Sequence, residues 1–397
     1  MRVYGSMSYI DNVEENAFLN RLNWNILSCH DKALCVAAES LKKNASLYYI
    51  LFKLSGRNYL RRHYDLGIGD QEYYDYVGNM CGIHLERKYG KKDDFLDVIK
   101  NLAYSQQHCV LMINTKYQAG ARLVGKKDHP HFMAYQGYDR EGFCFIDEDW
   151  SRQYWKTKDV DDVIYCRRKI RPEELIIMAG SVNACNIFAD QDSDIPDGDY
   201  FLYYLLTKKN DMPCELGVIT KAFIQQLSYL VENYWPLMNY ARGKMDTFTA
   251  NLNEYRNEMV LNVRKRLTED ERKEDELAMQ EQIAKARNDE LFAIRTRFIY
   301  PCESEILGAY ADFLYMLRRI LLLRTTEFPA KEKVVKQIQI LTDSFEYVKW
   351  QIARSVILGE PNLAEDAWNR YVQLNKKSMM VYKTLIREKW EISEYNE

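Results

Sequence analysis

The chain has 397 residues, with Lys+Arg 55 against Asp+Glu 58 and a net charge of −3. That length suits two domains, since single cores seldom grow beyond about 250–300 residues. The near balance of charge excludes the basic footprint of a nucleic-acid binder and any acidic tail, so no nucleic-acid partner is expected. The start, "MRVYGSMSYIDNVEENAF", lacks the basic and apolar regions of a secretory signal, and no apolar run is long enough to span a bilayer. No membrane partner is expected, and the expected compartment is the cytoplasm. "GSM" reads as a cloning junction, which makes Met7 the natural first residue. The nine cysteines include no C-x-x-C pair, which argues against a disulfide framework, a zinc site or a redox dithiol; no metal and no bound cofactor are expected.

In chain order, the first element with chemical content is "NWNILSCHDKALCVAAESL", residues 23–41. Ser28 suits an N-cap, Asp31 three residues later suits a capping-box acid, and Leu34, Cys35, Ala38 and Leu41 form an apolar stripe, so a helix is expected to begin at Cys29. Unpaired N–H groups and the positive dipole end at a helix start favour a thiolate, which is what a nucleophilic cysteine requires. Asn23, six residues upstream of Cys29, carries an amide that complements the Cys29 N–H in holding a tetrahedral oxyanion. Taken singly, a cysteine at a helix start is more often core than nucleophile. "NAS" at Asn44 fits a glycosylation acceptor but means little without a secretory signal.

Strand-like runs follow: "HCVLMINT", "HFMAYQGY", "GFCFID", "DDVIYCR" and "EELIIMAG". Cys109, Cys144 and Cys166 lie in such runs and read as core thiols. "GARLVGKK", residues 120–127, nearly spells a phosphate-binding loop, but Lys127 stands where a hydroxyl is needed and a strand follows instead of a helix.

The stretch "HPHFMAYQGYDREGFCFIDED", residues 129–149, reads as a hairpin with its turn at "DREG". His131 and Asp147 are sixteen positions apart, an even separation that across an odd-length loop places both on one face, and a three-residue loop at Tyr138 to Arg140 would set them directly opposite. An imidazole beside a carboxylate is the arrangement that orients a general base and stabilises its cation.

"ADQDSDIPDGDY", residues 189–200, is acidic with Pro and Gly and marks a linker, taken as 191–210. From about Asp211 the pattern is helical: "KAFIQQLSYLVENYWPLMNYA", "AYADFLYMLRRILLL" and "VVKQIQILTDSFEYVKWQIARSVIL" repeat apolar residues at three and four. The aromatics of these helices are more often packing core than a ligand lining. "RKRLTEDERKEDELAMQEQIAK", residues 264–285, reads as a solvated helix face. An α+β domain over 7–190 and an all-α domain over 211–397 are therefore expected.

The ordered set of Cys29 at a helix start, His131 opening a strand and Asp147 on the returning strand resembles the papain-like cysteine peptidases. "HFMAYQGYDREGFCFID" is most similar to the bacteriocin-processing peptidases and to the N-terminal domain of butirosin-type acyltransferases. The resemblance covers roughly residues 20–170. It implies Cys29 as nucleophile, His131 as base and Asp147 as its orienter, and it puts Asn23 where the family has an oxyanion-hole Gln. His30 departs from the small or aromatic residue usual after the nucleophile.

Processing peptidases of this branch carry transmembrane and ATPase domains behind the peptidase, whereas here a helical half rich in Tyr and Trp follows. That arrangement is similar to papain-like amide formers of antibiotic assembly, of the closthioamide type. The resemblance then implies an acyltransferase that takes an acyl group from the phosphopantetheine thioester of a loaded peptidyl or acyl carrier protein and passes it through an enzyme thioester to a small amine. Two alternatives stay open: a soluble cysteine peptidase or amidase, and a non-catalytic scaffold.

Overall fold

The computed structural model describes residues 29–42, 44–47, 82–118, 128–148, 165–185, 198–209, 215–254, 257 and 308–393. Their fold is mixed α and antiparallel β. The described residues from Cys29 to Lys221, with Ile392 and Ser393, form one compact unit, and those from Ala222 to Glu391 form a second.

In the first unit, helix α1 (Cys29–Leu41) is followed by β1 (Ile83–Lys91), α2 (Phe95–Tyr104), β2 (His108–Asn114), β3 (Pro130–Asp139), β4 (Gly142–Glu148), β5 (Tyr165–Ile170), α3 (Pro172–Ala179) and β6 (Tyr200–Lys208). The six strands form one sheet in the order β1-β6-β2-β3-β4-β5, every pair antiparallel. Strands covered on both faces read as continuous apolar runs, and "CVLMIN" of β2 and "FLYYLL" of β6 are buried throughout. One set of alternate side chains, including Leu111, Met133, Phe145 and Tyr203, packs under Phe95 and Ile99 of α2 and Leu175 and Met178 of α3. The other set faces α1, where the His30 ring lies 4.3 Å from each of the Phe132 and Tyr204 rings.

Three expectations are corrected. β6 lies inside the stretch read as a linker, 191–210, and pairs with both β1 and β2. Its apolar run follows the acidic Pro/Gly segment so closely that the turn chemistry masked the strand. "EELIIMAG" is helix, not strand: Pro172 at the first helical turn and Glu173 and Glu174 beside it favour a helix start over the local apolar run. The hairpin turns through two residues, Arg140 and Glu141, instead of three, with Asp139 paired to Gly142 and a bulge between Tyr135 and Gly137. Asp139 Oδ1 closes the turn by accepting from the N–H groups of Glu141 (2.8 Å) and Gly142 (3.2 Å). Gly137 at the bulge has φ 120°, open to glycine and costly for other residues. At "NAS", already set aside as an acceptor, the Glu39 carboxylate receives the Asn44 N–H (2.9 Å) and the Ser46 hydroxyl (2.6 Å), and Asn44 is buried.

Among the described residues the second unit is helical: the remainder of α4 (Leu216–Glu232), then α5 (Tyr234–Ala250), α6 (Gly308–Arg324), α7 (Lys331–Leu358) and α8 (Pro361–Arg387). Gly359 at φ 65° ends α7, and Pro361 opens α8. Phe223, Phe313, Phe345, Tyr371 and Tyr382 fill its interior. No described helix is long and apolar enough to cross a membrane. The run 264–285 and the loop 120–127 lie outside the described residues, as does most of 189–200.

Gly90 stands opposite Phe201 across the β1–β6 pair, and a Cβ there would run into the Phe201 ring. Gly90→Ala should therefore cost about 1–3 kcal/mol in urea unfolding. Gly243→Ala, mid-helix in α5 with open space around it, should instead gain about 0.5–1 kcal/mol. A neutral Gly90→Ala would mean that Phe201 is not seated on Gly90.

Candidate active site

The site forms where the start of α1 meets β3, β4 and β5. Cys29 is the first residue of α1 and is partly exposed. His131, near the start of β3, is 3 % exposed. The Cys29 thiol is among the groups that raise the His131 imidazole, and His131 Nε2 donates to Asp147 Oδ1 at 2.5 Å. Three of the four residues expected to form the site are thus brought together. Asn23, and the cap residue Ser28, lie outside the described residues.

The register explains the contact. Ala134 pairs with Ile146, so one step further Met133 faces Asp147 and His131 sits two residues along on the same face. A diagonal neighbour at that offset is within reach of a long side chain. The bulge thus replaces the directly opposed pair expected from a three-residue loop by a diagonal one. On the other side of β4, Asp147 pairs with Cys166, and Arg168 occupies the matching diagonal on β5.

The Asp147 side chain is fully buried and accepts four hydrogen bonds. Oδ1 takes His131 Nε2 and the Glu148 N–H (2.7 Å); Oδ2 takes Gln118 Nε2 (2.8 Å) and Arg168 Nε (2.6 Å). Burial penalises the carboxylate, but the charge and hydrogen bond of His131, followed by Arg168 and the Glu148 N–H, carry Asp147 below the usual carboxylate range. Burial likewise penalises the imidazolium, yet Asp147 first and Cys29 second carry His131 well above the usual imidazole range.

Glu148 fastens the helix to this strand. Its side chain is 3 % exposed and lies 3.0 Å from Lys32 Nζ, one turn beyond Cys29, while its carbonyl accepts from Arg168 Nη2 (3.1 Å). Gln118 is delivered by the segment after β2. Asn114 gathers the base of that segment through Asp128 (2.8 Å), the Lys116 N–H (3.1 Å) and the His129 N–H (3.2 Å). The unusual His30 packs its ring, tilted, against both Phe132 and Tyr204.

Gln118, Arg168, Lys32 and Glu148 were not singled out by sequence reasoning. The one signal for Arg168 is a pair of arginines inside a short strand, "YCRRKI", and it does not say which residue points at the site. Among the described residues no group of three or more His, Cys, Asp or Glu has the arrangement to hold a metal. No protein-family model matches the chain, and no curated protein matches it.

Two outcomes follow from this geometry. Asp147, whose folded value is depressed, contributes stability above the ordinary carboxylate range and loses it as pH falls through the depressed value. His131, whose folded value is raised, contributes below the ordinary imidazole range and loses it as pH rises through the raised value. The stability difference between the wild type and a His131→Gln/Asp147→Asn double variant, from urea unfolding, should therefore be most favourable to the wild type between about pH 4 and 6.5 and decline on both sides. Lys32→Met, which strands the buried Glu148 carboxylate, should cost about 3–5 kcal/mol in the same measurement at neutral pH.

Proposed function

We propose that the first unit is a papain-like domain and that the protein is a cysteine-dependent acyltransferase of the amide-forming kind. The observation that carries the reading is the buried His131–Asp147 pair with Cys29, at the start of α1, close enough to raise the imidazole. Each partner has the neighbour its role requires, which favours catalysis over a scaffold.

In the proposed reaction the Cys29 thiolate attacks the carbonyl carbon of an acyl-phosphopantetheine thioester on a peptidyl or acyl carrier protein. The tetrahedral oxyanion collapses, the carrier's C–S bond breaks, and the His131 imidazolium gives its proton to the departing thiolate. The carrier leaves as a free thiol, with the acyl group on Cys29 and His131 neutral. A small neutral amine then attacks the Cys29 thioester, His131 takes a proton from its nitrogen, and the Cys29–acyl bond breaks. The amide departs, and the thiolate–imidazolium pair is restored. One thioester is exchanged for another and then for an amide, so the sequence of steps needs no nucleotide and no bound cofactor. Asn23 retains its proposed place as an oxyanion donor beside the Cys29 N–H. Asp147 gives His131 a fixed ring orientation and a counter-charge while it is protonated.

The choice of amine over water rests on the resemblance. A soluble peptidase or amidase would use the same three residues, so the products decide between them. After incubation with an acyl-loaded carrier protein, the wild type should gain the acyl mass on the Cys29 peptide, and Cys29→Ala should gain none. His131→Ala should acylate about 10²–10⁴-fold more slowly; Asp147→Asn should lose less, because an amide can still orient the ring. Addition of a diamine should then release the amide product. Release of free acid alone would establish the hydrolase, and acylation that persists in Cys29→Ala would overturn the site.

A further inference from the structure

The acyl-enzyme state puts a demand on Asp147 that His131 cannot meet. Once His131 has given its proton to the departing thiol it is neutral, and a fully buried carboxylate faces a ring with no charge. A lone anion in such a place either takes a proton or forces one back onto its neighbour. Arg168 is the group built to prevent this. Its Nε lies 2.6 Å from Asp147 Oδ2, on the oxygen that His131 does not use, and its Nη2 holds the Glu148 carbonyl. The guanidinium is thus tied to two successive residues of β4, and it stays charged at every step.

We propose that Arg168 is a positioning residue of this site: it keeps the Asp147 carboxylate ionised and in place while His131 is neutral, so that His131 is free to act as a base toward the acceptor. This inference rests on the acyl-transfer reading for its purpose, though the geometry and its test do not. Among the described residues the other charged or titratable groups around the pair are Cys29 and Lys32 from α1, Glu148 from β4, and Tyr165 and Cys166 from β5. Lys32 is engaged by Glu148, and Gln118, the fourth donor to Asp147, carries no charge. Arg168 is therefore the charged side chain, apart from His131, that bonds Asp147 among the described residues.

Removal of a cation from Asp147 leaves more of the carboxylate's charge for the imidazolium, so His131 should hold its proton to higher pH. The test is the titration of the His131 ring by NMR in full-length protein, in a Cys29→Ala background so that no thiol titrates with it. Arg168→Gln should move the His131 midpoint upward by about one pH unit or more, and Arg168→Lys, which keeps the charge, should stay close to the Arg168 parent. A merely structural role would lower stability in both variants without moving the midpoint. An unmoved or lowered midpoint in Arg168→Gln, or a full upward shift in Arg168→Lys, would overturn the proposal. If Arg168→Gln does not fold, Arg168→Met, which keeps the aliphatic stem and removes the charge, takes its place: an upward shift of about one pH unit supports the proposal and an unmoved midpoint overturns it. Because the titration uses no acyl substrate, failure of the acyl-transfer reading would leave its result intact and separately readable.

Discussion

A single buried carboxylate organises the first unit. Asp147 sits within the sheet with no exposure of its side chain and receives donors from β3, β5, its own strand and the segment after β2. An anion in that position is tolerable only if its lone pairs are filled and its charge is met, and both conditions hold: two oxygens receive four hydrogen bonds, two of them from groups that carry or can carry a positive charge. Each donor comes from a different stretch of chain, so the carboxylate also fixes how those stretches stand relative to one another. His131 owes its ring orientation and its raised proton affinity to this arrangement.

The sheet supplies the geometry by simple means. Antiparallel neighbours on both sides of β4 allow two long side chains, His131 and Arg168, to approach Asp147 along matching diagonals. The bulge at Gly137 sets the offset on the β3 side, at a backbone angle that favours glycine. The helix that carries Cys29 is held to the same strand by the Lys32–Glu148 ion pair, one turn into α1 and one residue after Asp147. The start of α1 and His131 are therefore both tied to β4, by the Lys32–Glu148 ion pair and the His131–Asp147 hydrogen bond. Errors in the relative placement of these groups stay small.

The helical unit obeys different rules. Its tyrosines and phenylalanines largely serve as core: Phe313 packs face to Phe223 and edge to Tyr382, and Tyr371 packs on Phe345 and Trp368, all of them buried. Trp235 and Trp350 are exposed. The frequency of aromatic residues in this half thus reflects the volume needed between long helices more than any visible lining for a ligand.

Much of this was legible in the residues alone, because the signals are local. The apolar stripe after Cys29 marks α1, alternation across an odd-length loop puts His131 and Asp147 on one face, which the two-residue turn matches only through its bulge, and repeats of three and four mark α4, α6 and α7. Where two local signals competed, the sequence was a poorer guide. The acidic Pro/Gly stretch concealed β6, and the apolar content of "EELIIMAG" outweighed its proline and glutamates. The two-residue turn with its bulge could not be told from a three-residue loop, since both preserve the face and differ only in offset. Wholly beyond the sequence lay Gln118, Arg168 and the Lys32–Glu148 pair, whose partners stand 29, 21 and 116 residues away (148 − 32 for the last). Periodicity and capping determine what a segment is and which side chains share a face. Which charges meet across strands depends on strand order and register, and these are decided only when the whole sheet buries its two faces at once.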